Sequence, residues 1–178
     1  MENKLKIHDG LACYNSALHI IRDSGYALEA HPPKKELDLC LFSAKREGIV
    51  LKFENPAMIL GHVFLSEFEQ KKQVQIEDLI SPILFKASNK KAVDFYKNDF
   101  ETYNFALCII TSLKYDIGLI PPIEHSNYDD WFAEKKDIYF VADNPISLLG
   151  LIKIWIVNGN DWNRDYPEDL WDILMDDD

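Results

Sequence analysis

The chain has 178 residues, of which 47% are hydrophobic and 28% are charged, and its formal net charge at pH 7 is −11. This composition is typical of a soluble globular protein and excludes a disordered chain. The acidic balance argues against nucleic-acid binding, which relies on Lys and Arg contacts to phosphates. Because no apolar run approaches the roughly 20 residues that span a bilayer and the amino terminus has no apolar signal core, we expect a cytoplasmic protein with no membrane partner.

The first half of the sequence predicts a helix, three strands and two further helices. Apolar residues recur at three- and four-residue spacings in the first helix, and β-branched and aromatic residues fill the strands. The predicted elements are a helix at about Gly10–Ser24, strands at about Tyr26–Ala30, Leu37–Ala44 and Ile49–Phe53, a helix at about Pro56–Glu69, and a short helix from about Glu77.

The second half predicts the same order of elements. They are a helix around Phe100–Ile110, strands at about Tyr115–Ile120, Tyr128–Ala133 and Ile138–Ala142, a helix at about Pro145–Val157, and a short helix from about Pro167. Charged segments at Lys45–Gly48 and Glu134–Asp137 are predicted to be hairpin turns. The helix that begins at Pro145 is apolar almost all round and is expected to be the most buried one.

An Asn-Pro motif occurs twice, as Asn55-Pro56 and as Asn144-Pro145, and each copy precedes an apolar run. Asn can accept the unpaired backbone N–H groups of the first helical turn. Pro at the first helical position lacks only a donor that would be unpaired anyway. The motif therefore predicts two helix starts, each capped by its Asn.

The two motifs lie 89 positions apart, and the sequences around them match in the same register. Between Tyr14 and Gly61, 15 of 48 positions are identical to the residue 89 positions later. We interpret this match as a tandem duplication of one α-β-β-β-α-α unit, with residues 1–89 as the first unit and residues 90–178 as the second. Stacked repeat arrays need about three or more units, so we expect the two to pack into one compact body.

The predicted fold class is α+β, with an antiparallel meander sheet in each unit, helices packed on one face, and an approximate two-fold axis between the units. The order of elements in one unit resembles that of the double-stranded-RNA-binding domain. Duplex RNA binding needs basic residues at the phosphates, and this acidic chain has no basic cluster at a helix start. The resemblance therefore concerns topology and does not extend to function.

Both Asn-Pro helices contain a glycine, Gly61 in the first and Gly150 in the second. Glycine inside a helix is about 1 kcal/mol less favourable than alanine, so its presence in both units indicates close approach of another group. Three interpretations are open at this point. The glycines allow ordinary helix-on-sheet contact, they mark a crossing of the two helices, or they line a binding pocket.

Charge separates the two units, because residues 1–89 have a net charge of −1 and residues 90–178 have a net charge of −10. The excess lies near the carboxyl end, where acids alternate with aromatic residues. Aromatic anchors inside a charged rim are typical of binding hot spots, so this region is the candidate surface for a basic protein partner. Its residues are Asp161, Trp162, Asp165, Tyr166, Glu168, Asp169, Trp171 and Asp172. The alternative is a solvated acidic tail that aids solubility.

No catalytic, cofactor-binding or metal-binding motif is found in the sequence. The three Cys and five His residues do not share a register between the units, as a duplicated ligand set would. We therefore carry two hypotheses. The first is a non-enzymatic acidic protein-binding module, such as an inhibitor or immunity-type protein that neutralises a basic partner. The second is an enzyme with a carboxylate site between the two units. The expected assembly is a monomer with internal pseudo-symmetry or a weak homodimer.

Overall fold

A computed structural model describes residues 4–33, 40–71, 100–121 and 130–176, which form five α-helices and seven strands in two sheets. The helices are α1 (Leu11–Asp23), α2 (Pro56–Lys71), α3 (Phe100–Ser112), α4 (Pro145–Asn158) and α5 (Leu170–Met175), and a 3-10 turn at Gly159–Asp161 follows α4. The strands are β1 (Leu5–His8), β2 (Ala27–His31), β3 (Leu41–Arg46), β4 (Ile49–Phe53), β5 (Asp116–Ile120), β6 (Asp130–Lys135) and β7 (Ile138–Ala142). The chain is therefore a mixed α+β protein, which confirms the predicted class.

Each half of the chain supplies one antiparallel meander, β2-β3-β4 in the first and β5-β6-β7 in the second. The second sheet has a fourth strand that the sequence did not reveal. β1 pairs in parallel with β7, with Ile7 opposite Phe140. A strand of four residues with a single buried side chain, Ile7, is too short for its alternation to be recognised. The strand β1 thus belongs to the sheet of the other half.

The bounds of β4 and β7 agree with the predicted strands, and both Asn-Pro helices begin at their prolines. The last helix differs, because α5 begins at Leu170 instead of near Pro167. The reason is its cap, since the Asp169 side chain accepts the N–H groups of the first turn. Part of the predicted strand at Leu37–Ala44 and the predicted helix from about Glu77 lie outside the described residues.

The helices α2 and α4 cross at their glycines in the centre of the core. A Cβ atom at Gly61 would overlap the carbonyl oxygen of Ile146, and one at Gly150 would overlap that of Ala57. The partners are reciprocal, because Ile146 is the residue 89 positions after Ala57 and Gly150 is the residue 89 positions after Gly61. The glycines therefore sit where two helix backbones touch.

Burial of α4 accounts for its apolar sequence. Leu148, Leu149, Leu151 and Ile152 are all fully buried, against α2 and the second sheet. In the part of the chain that the structure describes, no helix has both the length and the apolar character needed to cross a membrane. The apolar run of α4 is thus explained by its burial in the protein core.

Several contacts in the first half have a counterpart 89 residues later. Arg46 donates to the carbonyl oxygen of Ser24 over 2.8 Å, and its guanidinium lies 4.4 Å from the centre of a tyrosine ring, Tyr26. The corresponding contacts join Lys135 to Leu113 O, at 2.8 Å, and to the ring of Tyr115, at 5.0 Å. The turn residues Glu47 and Lys136 both have positive φ, 49° and 54°. The two halves therefore share details of their turns as well as their element order.

Candidate functional site

The carboxyl-terminal residues 159–176, here called the strap, run from α4 of the second half over α1 of the first half. Three of the hydrogen bonds that fix the strap on α1 are Ser16 Oγ to Trp162 O at 2.7 Å, Arg22 Nη1 to Glu168 Oε2 at 2.7 Å, and Leu170 N to Asn15 Oδ1 at 3.0 Å. β1 of the first half pairs in the second sheet, and the strap of the second half packs on α1. Each half therefore contacts a terminal segment of the other.

The three aromatic residues of the candidate binding set pack under the strap. The Trp171 ring lies 5.2 Å from that of Tyr14 and 5.1 Å from that of Phe42. Tyr166 stacks on His19 with 3.8 Å between ring centroids, and Trp162 is half-buried against the core. These rings anchor the strap itself, and all three residues are half-buried. This role depends on α1 and β3, which lie far away in sequence.

The acids of the strap lie on the opposite, solvent-facing side. Asp161, Asp165, Asp169, Asp172 and Asp176 are exposed, and we call these five residues the acidic surface. Glu168 is also exposed but is paired with Arg22, whose hydrogen bond and charge lower the pKa of its carboxyl. Exposed aliphatic side chains adjoin these acids, namely Ile173, 51% exposed, Met175, 42% exposed, and Leu11, 68% exposed. The strap therefore presents carboxylates beside an apolar patch.

A second polar region, the interface cleft, lies where the two halves meet. It is a cavity of about 250 Å³ lined by His8, Asp9, Tyr14, Asn55, Asp130, Val141, Ala142 and Asp143. Asn55 Nδ2 donates to Asp9 Oδ2 over 2.6 Å, whereas Asp9 Oδ1 is buried without a hydrogen-bond partner among the described residues. Burial is the main cause that raises the pKa of Asp9 to about 6, and it also raises the pKa of Asp143. Sequence reasoning missed Asp9 because β1, which positions it, was not recognised.

Asn55 lines this cleft, and Asn144 directly follows the lining residue Asp143 in the chain. Asn144 is 8% exposed, and its Oδ1 accepts from Ile146 N at 3.0 Å and from Ser147 N at 2.9 Å. Asn55 Oδ1 accepts from Met58 N at 3.0 Å while its amide holds Asp9. Each Asn thus caps a helix, and Asn55 also fixes a carboxylate.

Replacing Asn144 by Ala should lower the free energy of unfolding by about 0.5 to 2 kcal/mol, because two N–H groups of α4 lose their acceptor. Urea unfolding measures the change. Asn144→Ser, which keeps a capping oxygen, is the matched control and should recover most of the stability. Equal losses in the Ala and Ser variants would contradict a capping role for this side chain.

Metal-ligand geometry was not found in the described ranges, where no three His, Cys, Asp or Glu side chains group around a common point. Cys13, Cys40 and Cys108 are free thiols. No protein-family model matches the chain, and no curated protein or solved structure is similar enough to match it. The acidic surface and the interface cleft are the two candidate functional sites of the described residues.

Proposed function

We propose that this chain is a non-enzymatic protein-binding module whose acidic surface takes a basic partner, as an inhibitor or immunity-type protein does. The observation that carries the proposal is the placement of five exposed carboxylates beside exposed aliphatic side chains. The aromatic residues of the strap pack against the protein and hold the strap in place. A charged rim with an apolar centre is the usual composition of a protein interface. A fixed backbone also lowers the entropy that binding must remove.

The negative charge of this surface is expected to speed its association with a basic partner. The second half has a net charge of −10, and long-range attraction raises the rate at which a partner of opposite charge associates. Salt screens exposed charges beyond about 8 to 10 Å at roughly 0.1 to 0.15 M ionic strength. Binding through the acidic surface is therefore expected to be sensitive to salt, and its association rate more so than its dissociation rate.

Replacing Asp165, Asp169 and Asp172 together by Asn should slow association with the partner several-fold at low salt, with little loss of stability. Asn at position 169 keeps an oxygen that can cap α5. The partner is first captured as a stoichiometric basic protein from the source cells, and surface-based kinetics are then measured over a series of salt concentrations.

A matched control removes three exposed carboxylates elsewhere, with Asp116→Asn, Asp137→Asn and Glu54→Gln. Both triple variants have the same net charge, so only the position of the lost charge differs between them. The control should associate at nearly the wild-type rate. If the strap variant associates as fast as the wild type at low salt, the acidic surface serves solubility alone and the proposal fails.

We further propose that the two halves are a tandem duplication related by an approximate two-fold axis. The reciprocal contacts Ala57–Gly150 and Gly61–Ile146 support this relation, because a two-fold interface pairs residue i with j and j with i. Phe64 and Lys153 are also 89 positions apart, and the Lys153 ammonium lies 4.6 Å from the Phe64 ring centre, as expected for a pair on the axis. Such an interface within one chain favours a monomer.

The interface cleft supports a second candidate function, an enzyme that uses Asp9 as an acid. A carboxyl whose pKa is raised to about 6 by burial in a polar cavity is typical of general acids. A panel of chromogenic esters, glycosides and phosphates tests this candidate. Turnover that Asp9→Asn abolishes and Asp137→Asn retains would support it, whereas no turnover above the Asp9→Asn background would exclude it for those substrates.

A further inference from the structure

A cavity of about 270 Å³, here called the strap cavity, lies between the start of α1 and the strap. Its α1 side is formed by Leu11, Ala12 and Asn15, and its strap side includes Asp165 and Asp169. Leu11 is part of the exposed apolar patch, and the two aspartates belong to the acidic surface. The strap cavity is therefore the place where the apolar patch and the carboxylates meet.

The two carboxylates of the strap cavity are not paired with a cation of the chain. Neither Asp165 nor Asp169 forms an ion pair with a described residue. Arg164 is the one basic residue of the strap and also lines the cavity, but its guanidinium carbon lies 4.4 Å from the centre of the Tyr166 ring. A cation from outside the chain can therefore reach both carboxylates.

Contacts outside the strap cavity hold its walls in place. Asn15 Oδ1 accepts from Leu170 N at 3.0 Å, which fixes the strap on α1. The Tyr166 ring stacks on His19 with 3.8 Å between centroids, and its hydroxyl accepts from the Asn158 amide at 3.0 Å. A cavity whose walls are already ordered loses less entropy when a side chain enters it.

We propose that the strap cavity takes one arginine side chain of the basic partner. Its guanidinium contacts the carboxylates of Asp165 and Asp169, and its aliphatic stem lies against Leu11. A planar guanidinium matches carboxylate geometry and is more weakly hydrated than the lysine ammonium, and its stem covers apolar surface. Arg is also enriched among the residues that dominate binding energy in interface pockets. The inference rests on the proposed function, because it names the partner group that the acidic surface takes.

Titration of the whole ¹⁵N-labelled protein with N-acetyl-arginine methylamide, followed by NMR at pH 7 and constant ionic strength, tests the cavity without the partner. The amides of Leu11, Ala12 and Asn15 should shift and saturate with a dissociation constant of about 1 to 10 mM. The amide of Leu148, inside α4, should not shift.

Two analogues of the probe test which chemistry the cavity recognises. The citrulline analogue has nearly the same shape as arginine but no charge, and it should bind at least about tenfold more weakly. The lysine analogue should also bind more weakly than arginine, because an ammonium cannot match two carboxylate oxygens as a planar guanidinium does. Equal binding of either analogue overturns the inference, and so does the absence of a saturable shift with the arginine probe.

Two double variants with the same net charge separate the cavity from the general negative field of the strap. Asp165→Asn with Asp169→Asn removes the carboxylates that line the cavity, and Asp172→Asn with Asp176→Asn removes two exposed carboxylates that do not line it. The first pair should weaken binding of the arginine probe at least about tenfold, and the second pair less than about twofold. Equal losses overturn the inference but not the proposed function, because steering by charge needs no cavity.

Arg164→Gln keeps the inference testable if the first double variant fails to fold. Removing the positive charge from the cavity lining should tighten binding of the arginine probe by roughly two- to fivefold, because two like charges no longer face each other. Lys136→Gln is the matched control, since it removes one positive charge from an exposed turn of the same half, and it should bind as the wild type does. A dissociation constant that Arg164→Gln leaves unchanged or raises overturns the inference.

Discussion

Gly150→Ala should destabilise the protein by about 3 kcal/mol or more, at the upper end of the range for overpacked cores. The added Cβ would overlap the carbonyl oxygen of Ala57 and lie 3.2 Å from the backbone nitrogen of Gly61. Backbone atoms of a buried helix cannot move aside as a flexible side chain can, so α2 and α4 must separate. Separation loses contacts along the central helix pair of the core. Urea unfolding measures the shift in midpoint.

Gly10→Ala is the matched control, because a Cβ at Gly10 has no atom within 4 Å. Gly61→Ala tests the symmetry of the crossing, since its Cβ would overlap the carbonyl oxygen of Ile146 in the same way. We expect Gly61→Ala and Gly150→Ala to lose similar amounts of stability while Gly10→Ala loses little. A Gly150→Ala midpoint equal to that of the wild type would refute the backbone contact.

The second large effect is a stability that falls as pH rises through the titration of Asp9. Its pKa is raised from 3.8 to about 6 in the folded protein. Between about pH 4 and pH 6 the folded state therefore binds more protons than the unfolded state, and the free energy of unfolding decreases with pH. Titration of Asp9 lowers the free energy of unfolding by up to about 3 kcal/mol, and this decrease is complete somewhat above pH 6. Urea unfolding at half-unit pH intervals from 4 to 7.5 measures it.

Asp9→Asn should remove most of this decrease, because the amide carries no charge at any of these pH values. A smaller slope of the same sign should remain, since burial also raises the pKa of Asp143. The exposed residue Asp137 supplies the control, and Asp137→Asn should keep the wild-type slope. If Asp9→Asn unfolds with the pH dependence of the wild type, then the Asp9 carboxyl does not titrate as its burial implies.

Burial of Asp9 lowers the stability of the folded protein when its carboxyl is charged. Its Oδ1 is buried without a hydrogen-bond partner in the described part of the chain, and its charge is costly there. Groups that reduce stability in this way are concentrated at functional sites. The interface cleft is therefore the place to examine if the acidic surface proves to have no partner.

Local patterns in the sequence were sufficient for most of the elements. β4 and β7 were predicted with their observed bounds because β-branched and aromatic residues fill them between turn signals. The starts of α2 and α4 could be predicted from the sequence, because Asn and Pro interact with the backbone of the helical turn that directly follows them. Exposure of the strap acids likewise agrees with the general preference of Asp for the surface.

Residues whose role depends on a distant partner could not be assigned in this way. Trp171 belongs to the candidate binding set by sequence, but Tyr14 and Phe42 turn its ring inward. Asp9 carried no signal of its own, because Asn55 and the burial around it come from another part of the chain. His19 was one unremarkable histidine among five until the strap placed Glu168 O on its Nε2.

The amino-acid sequence by itself determined the α+β class, the order of elements from α1 to α2 and from α3 to α4, the two capped helix starts and the excess of acids at the carboxyl end. These features depend on interactions within about one turn or one strand, so the chain encodes them in neighbouring residues. Only the tertiary structure decided that β1 joins the second sheet, that the strap lies on α1, and that Gly61 and Gly150 meet. Those contacts join residues far apart in the chain. They form through burial and hydrogen bonding between distant segments, and local sequence patterns do not show which segments will pack together.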